Sequence, residues 1–201
     1  MKLLVADIGG TNARFGYQKN KESEIEHIEF FNCVDFKNID HAILHYISKN
    51  KLVVDNLSLS IAGPCEDNLI KFTNNHWFFK KNELLKKIGC NSLLAVNDFA
   101  AQGLGFTSFF KNNLNFLDKE VLKDHKLYLL KSGKIIDNSN VLITGPGTGL
   151  GVSTLLFQDN GLLPIQGEGG NVNFSPATKL EIDLLKSVSY THLTLPTNLS
   201  V

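Results

Sequence analysis

The 201-residue chain has no excess of either charge: 20 lysines and arginines balance 20 aspartates and glutamates. That balance removes the field that recruits nucleic acid or an anionic bilayer, and no Lys/Arg run suggests a local basic patch. Neither is expected as a partner. Cysteine is scarce. Cys33, Cys65 and Cys90 are odd in number, widely spaced and without a Cys-x-x-Cys pair, so they read as reduced thiols and not as a disulfide frame or zinc site. No apolar run reaches membrane-spanning length, and the first residues enter a strand pattern without a signal-peptide layout. Among the histidines, only His41 and His45 have i,i+4 spacing. With no carboxylate partner they read as a solvated helix face. The expected class is a soluble cytoplasmic protein, whose 43% hydrophobic residues suffice for one large domain or two small ones.

What the chain does have is organised around Asp7-Ile8-Gly9-Gly10-Thr11-Asn12-Ala13-Arg14. The apolar residues 2–6 read as a buried strand, and Phe15-Gly16-Tyr17 resumes an extended pattern, so the stretch is a strand–turn–strand hairpin. Paired glycines permit positive φ and leave backbone N–H groups uncovered for an anionic oxygen. Thr11 adds a hydroxyl, and Asp7 offers a carboxylate to a hydrated cation. A nucleoside triphosphate with magnesium requires this combination, although a bare Gly-Gly turn needs no ligand.

Residues 25–31 alternate as a third, antiparallel strand. Ile39, Ile43, Tyr46 and Ile47 recur at helical spacing. Residues 56–61 predict a buried strand ending at the turn Ala62-Gly63-Pro64. Residues 69–72 and 77–79 flank the polar cluster Thr73-Asn74-Asn75-His76, with Trp77, Phe78 and Phe79 assigned to the core. A helix follows, carrying Leu84, Leu85 and Ile88, with Gly89 as its C-terminal cap. Residues 93–96 are wholly apolar, as in a strand covered on both faces, and a helix begins near Phe99. Residues 107–140 read as a peripheral connection containing a strand at 126–130. Residues 141–144 open a second sheet, followed by Gly145-Pro146-Gly147-Thr148-Gly149-Leu150-Gly151 and a returning strand at 152–157, and residues 179–186 form an amphipathic helix. The second glycine turn fits neither Gly-x-x-x-x-Gly-Lys-Ser/Thr nor Gly-x-Gly-x-x-Gly, so P-loop and Rossmann readings fail on spacing. It repeats the opening device. The pattern is α/β with a mixed sheet, built from two halves.

Two further stretches bear chemistry. Asn97-Asp98 stands where an apolar strand gives way to a helix, at the carboxyl end where α/β sheets bring ligands. A carboxylate there can accept a proton from a hydroxyl attacking a γ-phosphate; it can equally cap the helix. In Gly167-Glu168-Gly169-Gly170-Asn171, flanking glycines expose the Glu168 acid, and the Asn171 amide adds a donor and an acceptor, groups suited to vicinal hydroxyls. An ordinary polar loop fits the same residues.

In order, Ala6 to Arg14, Ala62-Gly63-Pro64, Thr73 to Trp77, Asn97-Asp98-Phe99, Gly147 to Val152 and Gly167 to Gly170 resemble the bacterial-type glucokinase family, within the sugar kinase/actin/Hsp70 superfold. The resemblance extends from Lys2 to about Lys186 and implies an RNase H-like fold. A small first domain would cover 2–107, and 108–186 would be the connection and start of a larger, truncated one. Ala6, Asp7, Ile8, Gly9, Gly10 and Thr11 would form a first phosphate loop for ATP and Gly147, Thr148 and Gly149 a second, with Mg2+ held through water by Asp7. Asn97, Asp98 and Glu168 would bind glucose, Asp98 also serving as base for the 6-hydroxyl. Asn171 stands where the family has a sugar-contacting histidine; it is shorter and cannot become a cation.

The family continues well beyond this chain, into the adenosine pocket and a further sugar-binding glutamate. The chain is therefore expected to be an inactive N-terminal fragment of an enzyme that makes glucose 6-phosphate; whether the full-length form is a homodimer stays open. Residues 188–197 can be encoded by a transposon-type sequencing adaptor, so 187–201 are expected to be an artefactual tail. Two rivals remain. A non-catalytic sugar-responsive regulator would carry a helix-turn-helix ahead of the first strand and a cysteine-rich zinc motif. Another ATPase of the superfold would leave Asn97-Asp98 and Glu168 unexplained.

Overall fold

Alternation builds the first sheet. In β1 (Leu3–Ile8), Leu4, Ala6 and Ile8 are buried while Val5 and Asp7 face the other side, the period of two that a pleated strand imposes. β2 (Asn12–Gln18) returns antiparallel to β1, and β3 (Glu26–Asn32) adds to β2 in the same sense. β4 (Asn56–Ile61) lies parallel to β1, and β7 (Ser92–Asn97) parallel to β4, giving the order β3-β2-β1-β4-β7. Between those two strands in sequence, β5 (Leu69–Lys71) and β6 (Phe78–Lys80) form a separate antiparallel pair. The sheet is mixed, as the sequence pattern predicts. The computed structural model describes residues 1–72, 74–110, 128, 130–131, 139–146, 150–158, 161–167 and 173–192.

One face of this sheet is covered by α1 (Ile39–Asn50), whose Ile39, Ala42, Ile43 and Tyr46 are buried against Leu4, Ile8, Phe15, Leu57, Leu59 and Ile61. Each of the large side chains among them contributes about 1.5–3 kcal/mol by leaving water. Trp77 and Phe79 belong to this core, but Phe78, expected there too, is 58% exposed: on the short strand β6 it alternates outward. Asn38 starts α1 and ties it to β6. Its Oδ1 accepts from the N–H of Ile39 (2.9 Å) and Phe78 (3.2 Å), and its Nδ2 donates to the Phe78 carbonyl (2.7 Å). Asn38→Ala removes a cap and a tertiary link together and is expected to cost about 2 kcal/mol, read as a fall in the denaturation midpoint. An unchanged midpoint would contradict this placement.

α2 (Lys81–Ile88) ends at Gly89, whose φ of 78° is the left-handed cap expected from sequence. A Lys87–Asp40 ion pair joins it to α1. α3 (Asp98–Phe110) then runs through residue 107, where the connection was expected to begin. The strand expected at 126–130 lies outside the described residues except for Tyr128 and Leu130, which are not in a strand.

The second sheet has β8 (Val141–Pro146), β9 (Leu150–Gln158) and β10 (Gly161–Gly167), antiparallel in the order β10-β9-β8. β10 is not anticipated by the sequence pattern, because Pro164 interrupts its apolar run. The proline is accommodated because, among the described residues, β10 pairs only with β9, leaving an edge where a missing N–H is tolerated. Finally α4 (Lys179–His192) opens on a capping box. Glu181 Oε2 accepts from the N–H of Ala177 and Thr178, both at 2.8 Å, and Thr178 Oγ1 accepts from the Glu181 N–H at 3.3 Å. The helix continues beyond Lys186, into residues expected to belong to the tail.

Candidate active site

Parallel strands place their carboxyl ends side by side, and here that edge gathers the residues the sequence singles out. Ile8 pairs with Ile61 and Ile61 with Asn97; one step earlier Asp7 pairs with Ser60 and Ser60 with Val96. The Gly9–Thr11 turn, the Ala62-Gly63-Pro64 turn and Asn97-Asp98 therefore leave the sheet together. Asp7 and Asp98 stand on either side of β4, two strand spacings or about 10 Å apart. Asp7 is exposed, and its Oδ1 accepts a hydrogen bond from Ser60 Oγ at 3.2 Å.

The capping role is carried largely by Asn97. Its Oδ1 accepts from the N–H of Phe99 (3.0 Å) and Ala100 (3.2 Å), while Nδ2 donates to the Gly63 carbonyl (3.4 Å). Asp98 Oδ1 also accepts from the Phe99 N–H, at 2.9 Å, so cap and candidate base are adjacent residues with overlapping duties. The Asp98 carboxyl is half-buried, and burial pushes its pKa above the ordinary value. The Asp7 charge adds to that rise, and the hydrogen bond from Phe99 opposes it. An acid held this way is a better proton acceptor than a solvated aspartate.

At the first glycine turn, the Gly9 N–H donates to the Asn12 carbonyl at 2.9 Å, closing the hairpin. Positive φ, anticipated for this turn, is not what it uses: neither glycine has it. Gly10 is required for closeness. A Cβ there would lie 2.9 Å from the Asn74 carbonyl oxygen and 3.0 Å from its Cβ, so the 74–76 segment crosses against bare backbone. The side chains of Ala6 and Ile8, both assigned to the phosphate loop, point into the core and leave only their peptide groups for a ligand. Thr11 is exposed.

α3 carries this edge to the second sheet. Phe99, next to Asp98, lays its ring over Gly145 and Gly151, a cross-strand glycine pair; a Cβ on Gly151 would fall inside that ring. Gly103 seats α3 on Leu155, Ser153 and Pro164. A hydrogen bond from Gln166 Nε2 to Glu66 Oε1 also joins the end of β10 to the loop after β4. Gly147, Thr148, Gly149, Glu168 and Asn171 lie outside the described residues. A cavity of about 360 Å³ opens on the sheet face opposite α1, with Asp7, Arg14, Ser58, Ser60 and Val96 among its lining.

Sequence reasoning missed Ser60 and the particular part played by Asn75. The only signals were a serine one residue before the end of β4 and a polar cluster without an assigned duty. Among the described residues no group of three or more His, Cys, Asp or Glu could hold a metal, and no helix is long and apolar enough to cross a membrane.

The family model for glucokinase matches residues 4–200. The glucokinase of Hahella chejuensis is 36% identical over 184 residues, 91% of this chain and 53% of the relative. That of Helicobacter pylori strain 26695 is 38% identical, over 89% and 51%. A crystal structure of glucokinase from an Antarctic psychrotroph superposes with a TM-score of 0.73 at 30% identity, over 96% of this chain and 57% of that one. The Balamuthia mandrillaris enzyme, solved in complex with glucose, shares the fold at a TM-score of 0.66 and 20% identity, over 94% and 54%. The fold is accordingly the actin-like ATPase fold of these sugar kinases, and the chain spans about half the length of the curated relatives it matches. By its family match and its 36–38% identity to curated relatives, the chain belongs to the glucokinase family.

Proposed function

We propose that these residues serve phosphoryl transfer from ATP to the 6-hydroxyl of glucose, giving glucose 6-phosphate and ADP in the cytoplasm, without a nucleic-acid or membrane partner. The observation that carries the reading is the gathering of Asp7, the Gly9–Gly10 turn and Asn97-Asp98 on one sheet edge.

The chemistry follows from the residue types. The Asp98 carboxylate accepts the 6-hydroxyl proton as that oxygen forms its bond to the γ-phosphorus; the bond from phosphorus to the bridging oxygen breaks and ADP leaves. Asn97, fixed at both ends of its amide, orients the sugar beside Asp98. Glu168 and Asn171 follow the second sheet and are assigned to the sugar on the family resemblance. Mg2+, where bound with ATP, would supply positive charge against the phosphate chain. Asp7 would suit it as an outer partner held through water, being exposed and, among the described residues, hydrogen-bonded at its carboxylate by Ser60.

The direct test is glucose 6-phosphate formation in a coupled assay, with residues 1–186 continued into the second half of the H. chejuensis relative. Turnover with glucose is expected; nucleotide binding without turnover on any hexose would overturn the assignment. In the same protein kcat/KM should rise with pH through an inflection above the ordinary aspartate value of 3.8, because burial holds Asp98 protonated longer. An inflection at or below that value would remove Asp98 as the base.

A further inference from the structure

We propose that Asn75 is a positioning residue that fixes the peptide plane presenting the Gly10 N–H to a nucleotide phosphate, a role that rests on the phosphate-loop reading above. The Gly9 carbonyl accepts a hydrogen bond from Asn75 Nδ2 at 3.2 Å, across 66 residues of sequence, and the Cys33 thiol approaches the same oxygen at 4.0 Å. No cis peptide is present among the described residues. The Gly9–Gly10 peptide is therefore trans, with its C=O and N–H pointing to opposite sides. Holding the carbonyl against Asn75 turns the Gly10 N–H away from the 74–76 segment. There it meets no acceptor among the described residues.

A clamp is needed here because of the sequence itself. A peptide between two glycines flips by rotation about two dihedrals that no Cβ restrains, so the turn alone does not choose which way its N–H points. Asn75 can choose because it is itself held. Its Oδ1 accepts from the Trp77 N–H at 3.1 Å, which also fixes which end of the amide is the donor. Trp77 is buried, and its Nε1 donates to the Phe36 carbonyl at 3.1 Å, an oxygen that His76 Nε2 also reaches at 3.0 Å. The close approach of Asn74 to Gly10 keeps the segment from rocking away. One amide thus joins a core-anchored turn to the peptide that faces the phosphate.

Two substitutions separate this role from simple support of the turn. Asn75→Asp keeps the acceptor for the Trp77 N–H but faces the Gly9 carbonyl with an oxygen. Asn75→His loses that acceptor but restores a donor, since Nδ1 stands the same number of bonds from Cα as Nδ2. The probe is Mg·ATP titrated into residues 1–186 continued into the second half of the H. chejuensis relative, followed by calorimetry and by the Gly10 amide resonance. Asn75→Asp is expected to weaken binding at least about tenfold and to suppress the Gly10 shift, with Asn75→His within about threefold of the wild type. The reverse order would mean that the residue acts through Trp77, and overturns the proposal. Binding by the wild type that leaves the Gly10 resonance unmoved, or that Asn75→Asp leaves unchanged, overturns it while sparing the phosphate-loop reading. No binding of Mg·ATP by the wild type overturns both.

Discussion

Asp98→Asn is expected to lower kcat by about a hundredfold or more while changing the KM for glucose little, in residues 1–186 continued as described above. The amide keeps the shape and still accepts from the Phe99 N–H, and Asn97 goes on capping α3, so the loss isolates the proton acceptor. A fall of less than about tenfold would make Asp98 a cap or sugar ligand and not the base. The same substitution should raise the thermal midpoint at neutral pH. The pKa is higher in the folded protein than in the unfolded chain. As pH rises between the two values the unfolded chain gives up its proton first, so stability falls and the deficit persists above the folded pKa. Removing the ionisable group removes that deficit. A lower midpoint for Asp98→Asn at pH 7, with no such gain relative to acidic pH, would contradict the burial on which its basicity rests.

Gly151→Ala should be nearly as damaging, although residue 151 bears no chemistry. The added methyl has no space beneath the Phe99 ring, and overpacking of this kind costs about 1–3 kcal/mol. Phe99 cannot yield cheaply, because its own N–H is held by both Asn97 and Asp98. Displacing it tilts the first turn of α3 and with it the carboxylate. Loss of stability and of turnover together is the expected result, and Phe99→Leu, which vacates part of that space, should restore some of each in a double-mutant cycle. Additive damage from the two substitutions would show that the ring and the glycine are not in contact.

The parts of the fold legible in the sequence are those governed by local periodicity and punctuation: the alternation of β1, the helical spacing of α1, the Gly89 cap and the passage from β7 into α3. The device of a glycine hairpin repeated at β8 and β9 was also readable, because both copies are short-range. What escaped is long-range or depends on environment. Ser60 meets Asp7 across 53 residues and Asn75 meets Gly9 across 66, and nothing in either segment announces its partner. β10 was hidden by Pro164, which only the edge position makes harmless. At Gly10 the conformational range expected from the sequence is not used, and the lack of a side chain is what the close approach of Asn74 requires. Asp98 was legible as a helix cap, and the structure shares that capping with Asn97, whose part depends on how the first turn of α3 settles.

The position of Asp98 at the start of a helix gripped from both sides makes the second sheet part of its mounting. α3 is 13 residues long, about 20 Å of stiff rod, rooted at the first sheet through Asn97, while Phe99 and Gly103 rest on the second. A sideways shift of the second sheet by about 2 Å would act on the rod only about 8 Å from its root, a turn of about 15°. Phe99 would carry the same shift straight into the first turn. The proton acceptor is thus in register with the edge that holds Asp7 only while both grips hold, so the placement of the base is coupled to any motion of one half against the other.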